Sequence, residues 1–245
     1  VMLSDDLWGF EYLFDGRDDL VADAATYPRI TNQEANGRAK TAEKFEVTPV
    51  GAAKALDMLM RSKGAHLSGA YPCANTGFAM KMAPLTTSHF IVGDFIVVDV
   101  LGCCLRFDER FELKEDYDLT AQHLAKHGVV TRANRLFVKA LHRVNPGGAV
   151  AVRTSKKEDW HIKLLRQKWP GVFLNHRRKN EVMMRWKGYE KMSEPEAKKK
   201  STSASKKRRS VSTRDRENKL AETPNQVPNR ERSINRKRQK NAAKV

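Results

Sequence analysis

Short apolar runs alternate along the chain with segments whose apolar residues recur at helical spacing, which predicts an α/β fold. Val1-Met2-Leu3-Ser4-Asp5-Asp6-Leu7 is an apolar run closed by an acidic pair, the expected end of a central strand entering a loop. Residues 15–46 are polar, with turn signals at Asp15-Gly16, Asn32 and Asn36-Gly37, and predict an irregular excursion. Thr48-Pro49 predicts a helix start, with Thr as N-cap and Pro at the first helical position. Its apolar face is Ala52, Ala53, Leu56, Leu59 and Met60, and Gly64 is the stop. Leu67–Tyr71 reads as a strand. Residues 90–92 and 95–101, joined by Gly93-Asp94, read as two strands around a tight turn. A helix over about residues 119–127 ends at Gly128. Val129-Val130 and Leu136-Phe137-Val138 read as strands, followed by a punctuated loop over residues 141–148. Ser155 with Glu158 is a capping-box pattern. The helix it opens runs to Trp169 and stops at Pro170-Gly171. Val172-Phe173-Leu174 and Val182-Met183-Met184 are short strands.

Charge divides the chain in two. It has 245 residues, 46 basic and 29 acidic, for a net charge of +17. Residues 190–245 hold 18 Lys and Arg against 7 Asp and Glu, so most of the excess lies there. Lys198-Lys199-Lys200, Lys206-Lys207-Arg208-Arg209 and Arg236-Lys237-Arg238 punctuate Ser, Thr, Asn and Pro, with few large apolar residues. Such a segment buries too little surface to offset its chain entropy. The expected organisation is a globular domain over residues 1–188 and a disordered basic tail over 189–245. The tail suits nucleic-acid phosphates, and Lys206, Lys207, Arg208 and Arg209 suit nuclear import or DNA-backbone contact. Cys73, Cys103 and Cys104 are an odd count with no Cys-x-x-Cys pair, which argues against a secreted disulfide framework and a zinc ribbon or finger. No apolar run reaches the roughly 20 residues that span a membrane.

Three positions, two of them acidic, carry candidate chemistry. In Glu115-Asp116-Tyr117-Asp118-Leu119-Thr120 three carboxylates precede a helix, where they can act as a base, hold a metal or cap the helix. Ser4-Asp5-Asp6 follows a strand end, where an acidic pair can hold a divalent cation or form a solvated loop. His142 precedes Gly147-Gly148, whose backbone N–H groups can approach a phosphate or form an ordinary turn. His123 and His127 share a helix face but lack the Glu of a zinc-protease helix. Cys103-Cys104 reads as packing.

The order of these motifs resembles a nucleotide-sugar transferase of the GT-A type. It runs from Val1-Met2-Leu3-Ser4-Asp5-Asp6 through Arg106-Phe107-Asp108-Glu109 to Glu115-Asp116-Tyr117-Asp118-Leu119-Thr120. The run Asn134-Arg135-Leu136-Phe137-Val138-Lys139-Ala140-Leu141-His142-Arg143 to Gly147-Gly148, with Lys168-Trp169 and Asn180-Glu181-Val182, narrows the likeness. It looks like the TET-associated glycosyltransferase family, kin to the base J glucosyltransferase and to the C-terminal domain of the growth-regulation-by-oestrogen proteins. The resemblance covers about residues 1–188. It implies a GT-A-like, Rossmann-like mixed sheet, N-terminally incomplete because the family's donor-nucleotide strands precede the acidic motif. It implies transfer of a sugar from a UDP-glucose-like donor to a hydroxymethylated base in DNA, with Mn²⁺ or Mg²⁺ as cofactor. Asp6, Asp5 and His142 would hold the metal, with Ser4 where the family has an Asp. Asp116 would be the general base, with Glu115 beside it. Asp118 would position the acceptor or the helix, and Gly147 and Gly148 would contact the donor phosphate. The tail and the DNA acceptor imply a nuclear location in a eukaryote and a cytoplasmic one otherwise. The alternative is a catalytically inactive transferase-like domain that acts as a nuclear nucleic-acid or chromatin-binding scaffold.

Overall fold

Local signals at helix ends account for much of the architecture. The computed structural model describes residues 1–4, 6–16, 24–140, 153–187 and 189, all within one unit, Val1–Ala197. The chain runs β1 (Met2–Leu3), β2 (Leu7–Phe14), α1 (Asn32–Thr41), β3 (Glu43–Glu46), α2 (Pro49–Ser62) and β4 (Leu67–Tyr71). It continues through α3 (Thr76–Lys81), β5 (Leu85–Thr86), β6 (Phe95–Val98), α4 (Glu115–His127) and β7 (Thr131–Ala140). After residue 152 come α5 (Ser155–Lys168), β8 (Phe173–Asn175) and β9 (Val182–Met184). Thr48 caps α2 as expected, its hydroxyl accepting the Gly51 N–H at 3.1 Å. Gly64, Gly128 and Gly171 follow the ends of α2, α4 and α5 with positive φ, the backbone region that favours glycine.

The main sheet is mixed, in the order β1-β6-β4-β7-β2-β3, with β5 also on β7. β4 and β7 pair in parallel; the other pairings of this sheet among the described residues are antiparallel. The α/β expectation with a mixed sheet is therefore met. The period of two along β6 divides the core. Phe95 and Val97 join Leu56, Leu59 and Met60 of α2 on one side, while Ile96 joins Leu119 and Leu124 of α4 on the other. A further cluster of Ile162, Leu165, Trp169, Phe173 and Val182 packs α5 and the β8–β9 hairpin against Phe111 and Ala121.

Several expectations are corrected. The opening apolar run is an edge strand of two residues, not a central one. Met2 and Leu3 are 46% and 62% exposed, and among the described residues the strand pairs only with β6. The polar stretch 15–46 contains α1 and β3. Thr31 and Glu34 form a full capping box, and Ala35, small enough for close approach, buries the helix against α3. Residues 90–92 are not a strand, because side chains take their backbone groups. The Thr120 hydroxyl accepts the Ile91 N–H at 3.3 Å, and the Arg132 guanidinium donates to the Phe90 carbonyl at 3.0 Å. The neighbouring strand stops at Val98. Val129-Val130 is not a strand, and the one expected over 136–138 is part of a longer strand, β7, which runs from Thr131 through buried Arg132, Asn134 and Arg135. Except for the Thr131 hydroxyl, which has no partner among the described residues, these polar groups are satisfied internally. Asn134 donates to the Ala83 carbonyl at 2.8 Å, and Arg135 donates to the Met82 carbonyl at 3.0 Å and the Tyr27 hydroxyl at 2.9 Å. Thr154, not Ser155, caps α5, accepting the Lys157 N–H at 3.2 Å; Glu158 instead turns inward as a buried carboxylate.

Candidate active site

Helix α4 opens without a side-chain cap. Lys114 at its N-cap adopts a left-handed backbone (φ 67°), and its ammonium lies 3.0 Å from Glu158 Oε2. The helix therefore begins a turn earlier than expected. Glu115, Asp116 and Asp118 lie inside its first turn, at the positive end of the helix dipole.

Asp116 is half-buried against the turn before β6. Its Oδ2 accepts the Gly93 N–H at 3.2 Å, and its Oδ1 accepts the Tyr117 N–H at 2.9 Å. A Cβ on Gly93 would lie 3.4 Å from Asp116 Cβ and 3.8 Å from Glu115 Oε1, so the turn is close to both carboxyls. Loss of water, and then the charge of Glu115, push the Asp116 carboxyl up to about 7, against the pull of the two N–H donors and Lys114. Burial raises Glu115 as well, opposed by backbone hydrogen bonding, Arg153 and Lys114. Two adjacent carboxyls in such a setting can retain a proton near neutrality, which suits a group that must take up and return protons. The Thr120 hydroxyl donates to the Asp116 carbonyl at 2.8 Å while receiving the Ile91 N–H, tying the 90–94 segment to this helix turn. Tyr117 stacks on Phe90 with centroids 3.8 Å apart.

The N-terminal acidic motif reaches the same turn. The Ser4 N–H donates to the Asp94 carbonyl at 2.8 Å, and the Ser4 hydroxyl donates to the Asp6 carboxylate. Gly93 and Asp94 are consecutive, so Asp6 and the Glu115-Asp116 pair attach to one turn, although most of the described chain before α4 separates them in sequence. β1 and β4 are both antiparallel to β6, and β7 is parallel to β4. Ser4, Tyr71 and Ala140 therefore mark the carboxyl ends of three parallel strands, the edge at which open α/β sheets bind ligands.

Asp118 has a different place. It does not cap the helix: it is fully buried in α4 and reaches the end of α5. Its carboxylate accepts the Trp169 indole N–H at 2.7 Å, the Lys168 ammonium at 2.9 Å and the Gln122 amide at 2.7 Å. Lys168 also donates to Asp108 at 2.7 Å, and Arg110 holds Asp108 from the other side; the two cations keep that carboxyl well below its ordinary range.

Asp5, His142, Gly147, Gly148, Lys206, Lys207, Arg208, Arg209 and, apart from Tyr189, the tail expected to be disordered lie outside the described residues; Tyr189 stacks on Trp186 with centroids 4.6 Å apart and packs on the α5 cluster. The metal site implied by the resemblance thus keeps one described member, Asp6. That carboxylate accepts the Ser4 hydroxyl and by itself supplies one of the about six oxygen ligands a divalent cation takes. Among the described residues no group of three His, Cys, Asp or Glu side chains is arranged as a metal site. Nor is any helix among them long and apolar enough to cross a membrane.

Three contributors to this edge were not singled out from sequence: the Gly93 N–H, the left-handed Lys114 and the Phe90–Tyr117 stack. Gly93-Asp94 was legible as a turn, but nothing local linked it to Asp116. Comparison with family models, with curated proteins and with solved structures gives no match to this chain.

Proposed function

We propose that the chain is a GT-A-type transferase of the TET-associated kind, moving a sugar from a nucleotide sugar to the hydroxyl of a hydroxymethylated base in DNA. The observation that carries the reading is the convergence of two acidic motifs on the Gly93-Asp94 turn, with the Asp116 carboxyl raised to about 7. In the proposed step Asp116 accepts the proton of the acceptor hydroxyl. That oxygen bonds to the anomeric carbon, and the bond from that carbon to the diphosphate breaks, with its electron pair leaving on the nucleotide. A carboxyl near its own pKa at neutral pH combines availability as a base with useful basicity. Glu115 sustains the raised value through its charge. Asp118 holds α5 to α4 and does no chemistry. No step is routed through a metal.

A polyanionic acceptor suits the surroundings. The β8–β9 loop carries exposed His176, Arg177, Arg178 and Lys179. Glu181, beside that loop, lies 3.7 Å from Lys114, which places the loop next to the first turn of α4. Cationic loops bind phosphate backbones without reading sequence.

The scaffold reading is favoured by Ser4, which stands where the family has an Asp and whose hydroxyl engages Asp6. The two separate in one assay. The full chain is incubated with UDP-glucose, Mn²⁺ and DNA bearing hydroxymethylpyrimidine, and sugar on the DNA is measured by mass spectrometry. Transfer that is lost in Asp116→Asn supports the enzyme. DNA binding without any transfer supports the scaffold, and equal transfer by the variant removes Asp116 from the reaction.

A further inference from the structure

Away from the Asp116 turn, the other end of α4 gathers three histidines and a cysteine. His123 and His127 lie one turn apart on the helix, about 10 Å or more along its axis from Asp116. Cys103 arrives from the loop after β6, and His66 from the turn before β4. Cys103 Sγ is 3.7 Å from His123 Nε2 and 3.2 Å from His127 Nε2. The His66 and His127 rings have centroids 4.3 Å apart.

Hydrogen bonds already select the tautomers. The only polar role open to the Leu119 carbonyl, 2.9 Å from His123 Nδ1, is to accept, so that nitrogen carries the proton and Nε2 presents a lone pair toward Cys103. His66 Nδ1 lies 3.0 Å from Asp99 Oδ2, which in the same way leaves His66 Nε2 bare. An imidazole whose Nδ1–H is held by a carboxylate or a backbone carbonyl is the usual outer arrangement of zinc-binding histidines. Asp99 also shapes the approach of the thiol. Its Oδ1 accepts the Leu101 and Gly102 N–H groups at 3.2 and 2.9 Å, and its carbonyl accepts the Cys103 N–H at 3.1 Å.

We propose that Cys103, His123 and His127, with His66 as fourth donor, form a structural zinc site that pins the loop over residues 99–106 to the end of α4. One thiolate and three imidazoles make the nitrogen–sulfur set that Zn²⁺ takes in tetrahedral sites, and His123-x-x-x-His127 is a spacing found in them. As they stand, Cys103 contacts His123 and His127 while the His66 ring lies against that of His127; closing on an ion takes a shift of the His66 and His127 rings that keeps the His66–Asp99 contact. The thiol is 2% exposed, which suits a closed site and excludes a nucleophile that substrates must reach. Cys104 does not take part: it is exposed, and Lys126 donates to its sulfur at 3.1 Å.

The test is independent of any transferase activity. The full chain is purified without chelator, its zinc is measured by elemental analysis, and the metal is then exchanged for Co²⁺. Expected are about one zinc per chain, a sulfur-to-cobalt charge-transfer band in the near ultraviolet, and loss of both in Cys103→Ser but not in Cys104→Ser. Asp99→Asn, which keeps an acceptor for the turn but no charge for His66, should weaken zinc affinity about tenfold or more. Should Cys103→Ser fail to fold, the wild-type cobalt band and the Asp99→Asn affinity still decide. Absence of the cobalt band from the wild-type chain, or zinc content unchanged in Cys103→Ser, overturns the proposal.

Discussion

Replacing Asp116 by Asn tests the placement of its carboxyl through stability alone. The group titrates near 3.8 in an unfolded chain and near 7 in the fold. Between those values the folded chain keeps a proton that the unfolded chain has released. Stability therefore falls as pH rises through the window, and the loss is complete above the folded value. Each unit of separation is worth about 1.4 kcal/mol, giving a ceiling of about 4 kcal/mol. Water reaching the half-buried carboxylate brings the expected effect to about 2 kcal/mol. An Asn side chain has the same shape and accepts one of the two N–H bonds from Gly93 and Tyr117; its amide nitrogen forfeits the other, at about 1 kcal/mol independent of pH. Urea unfolding followed by far-ultraviolet circular dichroism, at about pH 5 and about pH 8, reads both terms. Because pH 5 already lies part-way up the window, the variant should gain about 1 kcal/mol relative to wild type across that interval. A difference that does not change with pH, or one that moves in favour of wild type as pH rises, would refute the raised carboxyl and with it the proposed base.

Asp118→Ala should behave in the opposite way, destabilising the domain by about 3–5 kcal/mol in the same unfolding assay. It leaves the Trp169 indole N–H and the Lys168 ammonium without their shared buried acceptor. A loss below about 1 kcal/mol would show that α5 is not anchored through this carboxylate. Gly69→Ala should cost about 1–3 kcal/mol, because a Cβ there overlaps Ile91 Cγ2, itself fixed by the backbone bond to Thr120. A thermal melt unchanged from wild type would mean that the 90–94 segment yields freely.

Elements governed by neighbours in sequence were legible. Thr48-Pro49, Gly64, Gly128 and Gly171 mark helix ends through capping and positive φ, which need only a few residues of context. The apolar periodicity of α2 and the runs that form β4, β8 and β9 were likewise readable. Thr154 against Ser155 is a slip of one residue between two hydroxyls equally able to cap. The Thr31–Glu34 box was present in the sequence but lay in a segment with too few apolar residues to predict a helix; packing against α3 supplies the burial.

What the chain cannot state locally is which polar groups will find partners far away. Arg132, Asn134 and Arg135 look like a break in a strand until carbonyls from residues 79–90 satisfy them, and then β7 continues through them. Residues 90–92 look like a strand until Thr120 and Arg132 take their backbone bonds. Asp116 and Asp118 sit two positions apart in one acidic run, and no local rule separates them. The helical rotation between them turns Asp118 to the end of α5, where three donors bind it, and turns Asp116 to the Gly93-Asp94 turn, beside a second carboxyl and short of water. Composition and periodicity determined the α/β class and the helix termini, because those depend on short-range geometry and the number of apolar groups. Tertiary structure alone decided which carboxylate is an anchor and which is a candidate base, because burial and charge neighbours exist only once distant segments meet.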